Sequence, residues 1–189
     1  MKKLLGALCA SLALASAHAA VEVAGVKFDD HSQMAGQTLQ LNGAGLRTKF
    51  VFKVYAMGLY LPAKAKGAQA VLASDGPRRI DIVTLRDLTA EQFADALSEG
   101  LKKNLSEAEQ QALKADSEAF RATLLALKEA KEGTRIQIDF VPGGGTRLVV
   151  NGSPKGDPIG GLDFSNALLR VWIGEAPAQG DLKQALIGE

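Results

Sequence analysis

Two side chains in the first third of this sequence could together bind an anion. Arg47 follows the segment Gly43–Gly45, and Tyr55 lies further along the same run of aromatic and β-branched residues. A guanidinium forms charge-assisted hydrogen bonds with a carboxylate, and a neighbouring hydroxyl can donate another. From position alone, an arginine at the start of a strand is usually a solvated or ion-paired surface group. Tyr55 could equally face solvent or pack in the core, so the sequence leaves a structural interpretation open for both.

Other reactive side chains are scarce. The 189 residues include 22 basic and 21 acidic ones, and the net charge of +1 gives no indication of nucleic acid as a partner. Cys9 and His18 belong to an N-terminal segment that we predict to be removed, which leaves His31 as the one histidine, in a polar stretch that reads as a loop. Disulfides, cysteine nucleophiles and thiolate zinc sites are thereby excluded. No EF-hand spacing is present, and Gly143–Gly145 lacks the lysine of a phosphate loop, so we expect no metal and no cofactor.

Residues 1–19 are predicted to be a secretory signal peptide. Met1–Lys3 is a short basic region, Leu4–Ala15 is apolar, and Ala17–Ala19 has the small-residue pattern of a cleavage site. The apolar run is shorter than the about twenty residues that a membrane-spanning helix needs, which disfavours a retained anchor. We therefore expect cleavage after Ala19, a mature domain of residues 20–189 without a membrane span, and a periplasmic location.

Alternating apolar and polar residues predict several strands, the most informative of which follows Asn42–Gly45, a segment that reads as a turn. Phe50, Phe52 and Val54 alternate with other side chains, as a half-buried strand requires. From Met57 to Leu61 the same strand is apolar throughout, which predicts that one face meets a core and the other a covering layer or a ligand. The other predicted strands are Val21–Phe28, Thr38–Leu41, Arg79–Leu85, Arg135–Val141, Thr146–Val150 and, after the hairpin turn Asn151–Gly152, an edge strand at Pro154.

Helices are predicted where capping signals precede apolar residues at helical spacing. Thr89 with Gln92 and Ser106 with Glu109 each form a capping-box pattern, and the second helix is expected to continue to about Lys131. Strands, then helices, then a hairpin, then a helix do not alternate as a parallel sheet requires. We therefore predict a single α+β domain with an antiparallel sheet covered on one face by helices. The remaining predicted helices are Ala63–Ala73, one that begins near Asp163 and stops at Gly174, and Asp181–Ile187.

The same regions carry a resemblance to a known family. Gly43–Arg47 and Phe52–Leu61 resemble the opening strand region of the chalcone isomerase superfamily, and Ala167–Glu175 with Asp181–Lys183 resembles its last helices. The likeness spans residues 20–189 in order and looks most like the bacterial exported chalcone isomerase-like proteins. It implies an open-faced β-sandwich whose large antiparallel sheet and helical layer enclose an apolar cleft. In the plant isomerases this cleft cyclises a chalcone to a flavanone, and in a related plastid branch it holds a fatty acid.

By position, the resemblance retains one member of the isomerase catalytic set. Arg47 matches the arginine that holds the attacking phenolate, whereas Tyr55 stands where the isomerases carry a threonine. Val171 replaces the threonine or serine of the last helix, and the tyrosine and asparagine of the first long helix fall near Gln92–Phe93 and Glu99–Gly100. Loss of one transition-state donor costs on the order of a hundredfold in rate. Efficient chalcone cyclisation is therefore not expected.

Three classes of function follow from these residues. A non-catalytic binding protein for a small amphipathic molecule, such as a fatty acid or other carboxylate, needs one buried cation, a neighbouring donor and an apolar sleeve. Arg47 and Tyr55 would supply its polar end, and Phe93 and Val171 would line the rest. An isomerase or intramolecular lyase for a chalcone-like or other small substrate would use Arg47 as its catalytic anchor and Tyr55 as a donor. A structural or partner-binding domain would instead have Arg47 in a surface ion pair, with Phe93 and Val171 in a filled core. We prefer the first class, because Arg47 is retained in an otherwise altered set.

Overall fold

The computed structural model describes residues 20–188, so the predicted signal peptide at residues 1–19 lies outside the described residues. The strands are β1 Val21–Val23, β2 Val26–Phe28, β3 His31–Met34, β4 Gln37–Lys49, β5 Phe52–Leu61, β6 Arg78–Thr84, β7 Leu88–Thr89, β8 Glu129–Ala130, β9 Arg135–Val141, β10 Gly145–Val150 and β11 Ser153–Ile159. The helices are α1 Ala68–Leu72, α2 Ala90–Asn104, α3 Glu107–Ala112, α4 Lys114–Leu125, α5 Leu162–Ile173 and α6 Gly180–Ile187. Seven strands form one antiparallel sheet in the order β11-β10-β9-β6-β5-β4-β3. The predicted α+β class is confirmed.

Both faces of this sheet are covered. On one face, apolar residues of β5, β6 and β9 pack against the helices in the main core, where Phe120, Phe164 and Trp172 are almost completely buried. On the other face, a smaller apolar cluster lies between the sheet and the hairpin formed by β1 and β2; it contains Phe28, Met34, Leu39, Leu41, Ala56 and Tyr60. The run Met57–Leu61 contributes to both, which confirms that this strand is covered on its two faces.

Local sequence signals set several element boundaries as expected. The side chains of Thr89 and Ser106 accept hydrogen bonds from the backbone N–H groups three residues later, and the return bond completes each capping box. Asn151 and Gly152 form the turn between β10 and β11, with positive φ angles of 49° and 79°. The strand that contains Pro154, β11, lies at the edge of the sheet, where a missing backbone N–H is tolerated.

Helix lengths depart more from prediction. The helix expected to run from Ser106 to about Lys131 is divided into α3 and α4 and ends at Leu125. It stops there because Lys128 adopts a left-handed φ of 65° and β8 then pairs with β7. The helix expected at Ala63–Ala73 forms only as α1. No helix within residues 20–188 is long and apolar enough to cross a lipid bilayer.

The turn predicted at Asn42–Gly45 is wrong, because β4 continues through these residues and the hairpin turns at Phe50–Val51 instead. The two glycines allow α6 to lie close against β4. A Cβ added to Gly43 would overlap the carbonyl oxygen of Ala185, and one added to Gly45 would lie 2.9 Å from the Ala185 Cβ. Glycine in a strand often marks such a close approach of another backbone, and here it is the helix that requires it.

A β-bulge in β4 aims Arg47 at the helices. Leu41 points into the apolar cluster on the opposite face, and regular alternation along the strand would place Arg47 on that face as well. The register between β4 and β5 shifts between Leu41 and Gly43, so that β4 contains an extra residue there. As a result Gly43 and Arg47 face the helices, while Ala44 joins the opposite cluster.

Candidate functional site

A cleft opens between the helices α2 and α5 and the half of the β4–β5 hairpin that contains its turn. Its volume is about 890 Å³, which suits a small-molecule site. Arg47 and Tyr55 line it from the sheet, Phe93 from α2 and Val171 from α5. The structure therefore brings all four residues of the predicted ligand site to one cleft, and their part in binding stays a prediction.

Arg47 presents to the cleft a positive charge that no carboxylate pairs with in residues 20–188. Its Nη1 donates to the carbonyl oxygen of Thr48 and, over 3.2 Å, to Oε1 of Gln179, and both acceptors are neutral. The side chain is half-buried, and a charge in that setting interacts with an anion more strongly than it would in bulk water. An anionic ligand would therefore complete the interactions of this guanidinium.

Gln179, which precedes α6, holds the end of β4 in place. Its Oε1 accepts from the backbone N–H of Thr48 at 2.8 Å, and its Nε2 donates to the carbonyl oxygen of Leu46 at 3.2 Å. The same Oε1 accepts from Arg47. One amide side chain thus contacts three consecutive residues of the strand, which restricts where the guanidinium can point.

Tyr55 is buried beside Arg47, with 7% of its surface exposed. Its hydroxyl oxygen accepts a hydrogen bond from the indole Nε1 of Trp172 at 2.8 Å. Burial raises the pKa of Tyr55 above its ordinary value of 10.0, and this effect outweighs the opposing effects of Trp172 and of the Arg47 charge. The hydroxyl is therefore protonated at neutral pH. Its proton has no acceptor in the part of the chain that the structure describes, so it can donate to a ligand oxygen.

In an alkaline titration, both tyrosines of the chain should keep their phenol protons above pH 10, the ordinary pKa of the side chain. Burial raises the pKa of Tyr55 and that of Tyr60. Because folding favours the protonated phenols, their contribution to stability is complete below about pH 10 and is lost as the pH rises through the folded-state pKa values. We expect tyrosinate absorbance to appear only together with the loss of helical circular dichroism. Urea-unfolded protein should titrate near pH 10. Ionisation at that pH in the folded protein would contradict the burial of these two side chains.

The two apolar residues of the predicted site differ in exposure. Phe93 is half-buried and lines the cleft. Val171 is only 3% exposed and packs against Gly100 of α2, where an added Cβ would lie 2.5 Å from the Val171 Cγ1. Val171 therefore joins α5 to α2 as well as lining the cleft, and Phe93 offers the larger apolar surface to a ligand.

Several features of the cleft are not evident from the sequence. Trp172, which lies in the main core, also donates a hydrogen bond to the Tyr55 hydroxyl. Its position next to Val171 on α5 is a signal that could have found it. Gln179 carries no such signal, because it lies in a loop far along the chain from Arg47. Three exposed cations also line the cleft and are not among the site residues predicted from the sequence: Lys49, Arg86 and Lys103.

His31 does not line the cleft. It begins β3 rather than lying in the predicted loop, because this polar stretch pairs with β4, and its Nδ1 is 3.0 Å from Oδ1 of Asp30. Within residues 20–188, no group of three or more His, Cys, Asp and Glu side chains is arranged to hold a metal ion.

Comparison with known proteins agrees with this architecture. A family model described as chalcone isomerase-like matches residues 20–188. The chain belongs to the chalcone isomerase-like family. Among solved structures, a fatty-acid binding protein of Arabidopsis thaliana superposes with a TM-score of 0.64 at 16% sequence identity, over 86% of this chain and 92% of that one. At this identity the likeness shows the fold alone. A search of curated protein sequences found no match.

In this chalcone isomerase-like protein, the positions that correspond to the isomerase donors lie in the cleft but carry different chemistry. Gln92 uses its Oε1 to accept from the backbone N–H of Thr89 in the capping box. Glu99 pairs with Lys103 at 2.6 Å, which lowers the pKa of Glu99 and keeps it ionised. A carboxylate there would repel the negative charge that develops on a carbonyl oxygen during cyclisation. Because an ionised carboxylate only accepts hydrogen bonds, Glu99 cannot donate one to a carbonyl oxygen in the cleft.

Proposed function

We propose that this chalcone isomerase-like protein binds a small amphipathic carboxylate, such as a fatty acid, and does not catalyse a reaction on it. The observation that carries the proposal is the unneutralised guanidinium of Arg47 beside the protonated hydroxyl of Tyr55. A carboxylate has two oxygens and can accept from both groups, and such charge-assisted bonds are about twice as strong as neutral ones. The fatty-acid binding stated for the Arabidopsis protein supports the same class of ligand.

The remainder of the cleft suits a hydrocarbon chain. Its apolar lining comes from the sheet, the helices and the segment between α5 and α6, and includes Val54, Phe93, Leu97, Val171 and Ala178. Each methylene group removed from water contributes about 0.8 kcal/mol to binding. Affinity should therefore rise with chain length until the cleft is filled.

Binding takes place, in this proposal, in the periplasm after removal of residues 1–19. The basic, apolar and small-residue parts of that segment support export, and the family match begins at residue 20. An exported carrier would meet fatty acids and other amphipathic anions at the surface of a membrane, where these molecules accumulate.

Mass spectrometry of the natively purified protein tests ligand and processing together. We expect a mature chain that begins at Ala20 and an organic extract that contains fatty acids. In solution, decanoate should bind roughly tenfold or more tightly than decanol, because the alcohol offers no charge to Arg47. Equal affinity for the acid and the alcohol would overturn the carboxylate site. Turnover of a chalcone, seen as loss of its absorbance, would instead favour an isomerase.

A further inference from the structure

The turn of the β4–β5 hairpin exposes a contiguous apolar surface. Phe50 is 90% exposed, Val51 88% and Phe52 56%. The other large apolar side chains that are exposed within residues 20–188 are Val21 and Leu162, which lie far from the hairpin turn and from each other in the sequence. Single exposed apolar residues are common on protein surfaces, whereas a contiguous patch marks an interaction site. We refer to residues 49–53 as the aromatic tip.

Turn geometry does not explain an aromatic residue at this apex. Phe50 has a φ of 55°, a left-handed conformation that favours glycine and asparagine. The following residue, Val51, is β-branched, although two-residue hairpin turns favour pairs such as Asn-Gly. The fold would be served better by small polar residues at both positions. We therefore look for the role of these apolar side chains outside the fold.

The aromatic tip is surrounded by positive charge. Lys49 and Lys53, the first and last residues of the tip, flank its three apolar side chains, and the guanidinium carbon of Arg86 lies 5.0 Å from the centre of the Phe52 ring. None of these three cations forms an ion pair with a residue in the described range 20–188. Their charges therefore remain available to an external anionic partner.

The acidic side chains at the mouth of the cleft form their ion pairs with cations outside the tip, and the charge of Lys49 contributes less than Lys103 to lowering the pKa of Glu99. Asp95 pairs with Arg121 and Glu99 pairs with Lys103, each at 2.6 Å. The apolar residues at the apex of the turn are therefore surrounded by unpaired positive charges, which would attract an anionic surface.

We propose that the aromatic tip docks this protein onto the surface of an anionic phospholipid bilayer. Its apolar side chains enter the boundary between headgroups and acyl chains, and the flanking cations contact the phosphates, as in other peripheral membrane segments. A second copy of this chain fits less well, because two tips in contact would bring Lys49 and Lys53 of one copy against those of the other. A folded protein partner also fits less well, since three side chains offer less area than a stable interface needs.

This docking rests on the proposed function and gives it a route for ligand transfer. Lys49, Phe50 and Phe52 line the mouth of the cleft, which leads to Arg47. A fatty acid that leaves the bilayer at the tip passes along apolar side chains to the guanidinium without crossing bulk water. The cations at the mouth attract its carboxylate along the same path.

Vesicle sedimentation tests the docking surface. Wild-type protein should bind phosphatidylcholine vesicles that contain roughly 30% phosphatidylglycerol, and bind pure phosphatidylcholine about tenfold more weakly. Val51→Asp places a carboxylate at the apolar apex and should lower binding to the anionic vesicles by about tenfold or more. Lys53→Gln removes one flanking charge and should lower it by about fivefold. The matched controls Leu162→Asp and Lys64→Gln, at exposed positions outside the tip, should bind like wild type.

All variants are purified with the same N-terminus, so that residues 1–19 cannot account for a difference between them. Anionic-vesicle binding that neither tip variant lowers would overturn the docking proposal. A second result would also overturn it. If wild type forms a dimer that does not bind vesicles, and Val51→Asp is monomeric in analytical ultracentrifugation, the tip contacts a second copy of the chain instead of a bilayer.

Decanoate affinity in vesicle-free solution separates this proposal from the proposed function. Val51 does not line the cleft, so Val51→Asp should bind decanoate like wild type. If neither Val51→Asp nor Lys53→Gln lowers vesicle binding and Val51→Asp keeps decanoate binding, docking through the tip is wrong and the ligand site stands. If wild type binds vesicles through the tip but binds no fatty acid, the proposed ligand is wrong and docking stands.

Discussion

Arg47→Ala should weaken decanoate binding by roughly 10- to 100-fold and leave decanol binding nearly unchanged. A hydrogen bond to a charged group contributes about 1.5–3 kcal/mol, and about 1.4 kcal/mol corresponds to a factor of ten in affinity. The half-buried position of the guanidinium limits screening by solvent, so the effect should persist at physiological ionic strength. Isothermal titration calorimetry of both ligands, at one pH and one salt concentration, measures the difference.

Two further variants separate the charge of Arg47 from its contacts within the fold. Arg147→Ala removes the same charge from an exposed position on β10 and should bind decanoate like wild type. Arg47→Lys keeps the charge but loses the planar, forked donor, so we expect an intermediate affinity. Equal losses for decanoate and decanol in Arg47→Ala would mean that Arg47 only supports the strand through Gln179.

Gly43→Ala should lower the free energy of unfolding by about 2–4 kcal/mol, with a fall in Tm on the order of 10 °C. The added Cβ overlaps the carbonyl oxygen of Ala185, a backbone atom that cannot rotate away. Relief requires α6 to move off β4, which weakens the hydrogen bond from Asn42 Nδ2 to the carbonyl oxygen of Leu186 at 2.7 Å. Thermal and urea denaturation followed by circular dichroism measure the loss.

Gly180→Ala, at the start of α6, is the matched control for this substitution. Nothing lies within 4 Å of its added Cβ, so we expect a neutral or slightly stabilising effect through the entropy of the unfolded chain. Gly45→Ala should fall between the two, because its Cβ meets side-chain atoms of Leu182 and Ala185 at 2.9 Å rather than backbone. A Gly43→Ala protein as stable as wild type would show that α6 does not rest on β4 in solution.

Patterns that extend over a few residues predict much of this fold. The capping boxes at Thr89 and Ser106, the doubly covered run Met57–Leu61 and the edge position of Pro154 all follow from neighbouring residues. The glycines of β4 led to the wrong prediction of a turn, because glycine occurs both in turns and where another backbone approaches a strand closely. The helix that needs them lies far along the chain, with Leu186 separated from Asn42 by 144 positions.

The family resemblance predicts Arg47 but not the groups that position it. Gln179 contacts Arg47 across 132 positions, and Trp172 contacts Tyr55 across 117. Neither contact leaves a local pattern. The bulge that turns Arg47 toward the cleft is a property of the pairing between β4 and β5, so the face on which this side chain lies depends on the whole sheet.

Gln179 also closes an open edge of the sheet. β3 pairs only with Gln37–Gln40, so in residues 20–188 the rest of β4 has no strand partner on that side. The Gln179 amide donates to Leu46 and accepts from Thr48, as an adjacent strand would. An unpaired strand edge is a template on which other chains add and aggregate. The Gln179 amide therefore hinders other copies of the protein from pairing with the free edge of β4, the strand that presents Arg47 to the cleft.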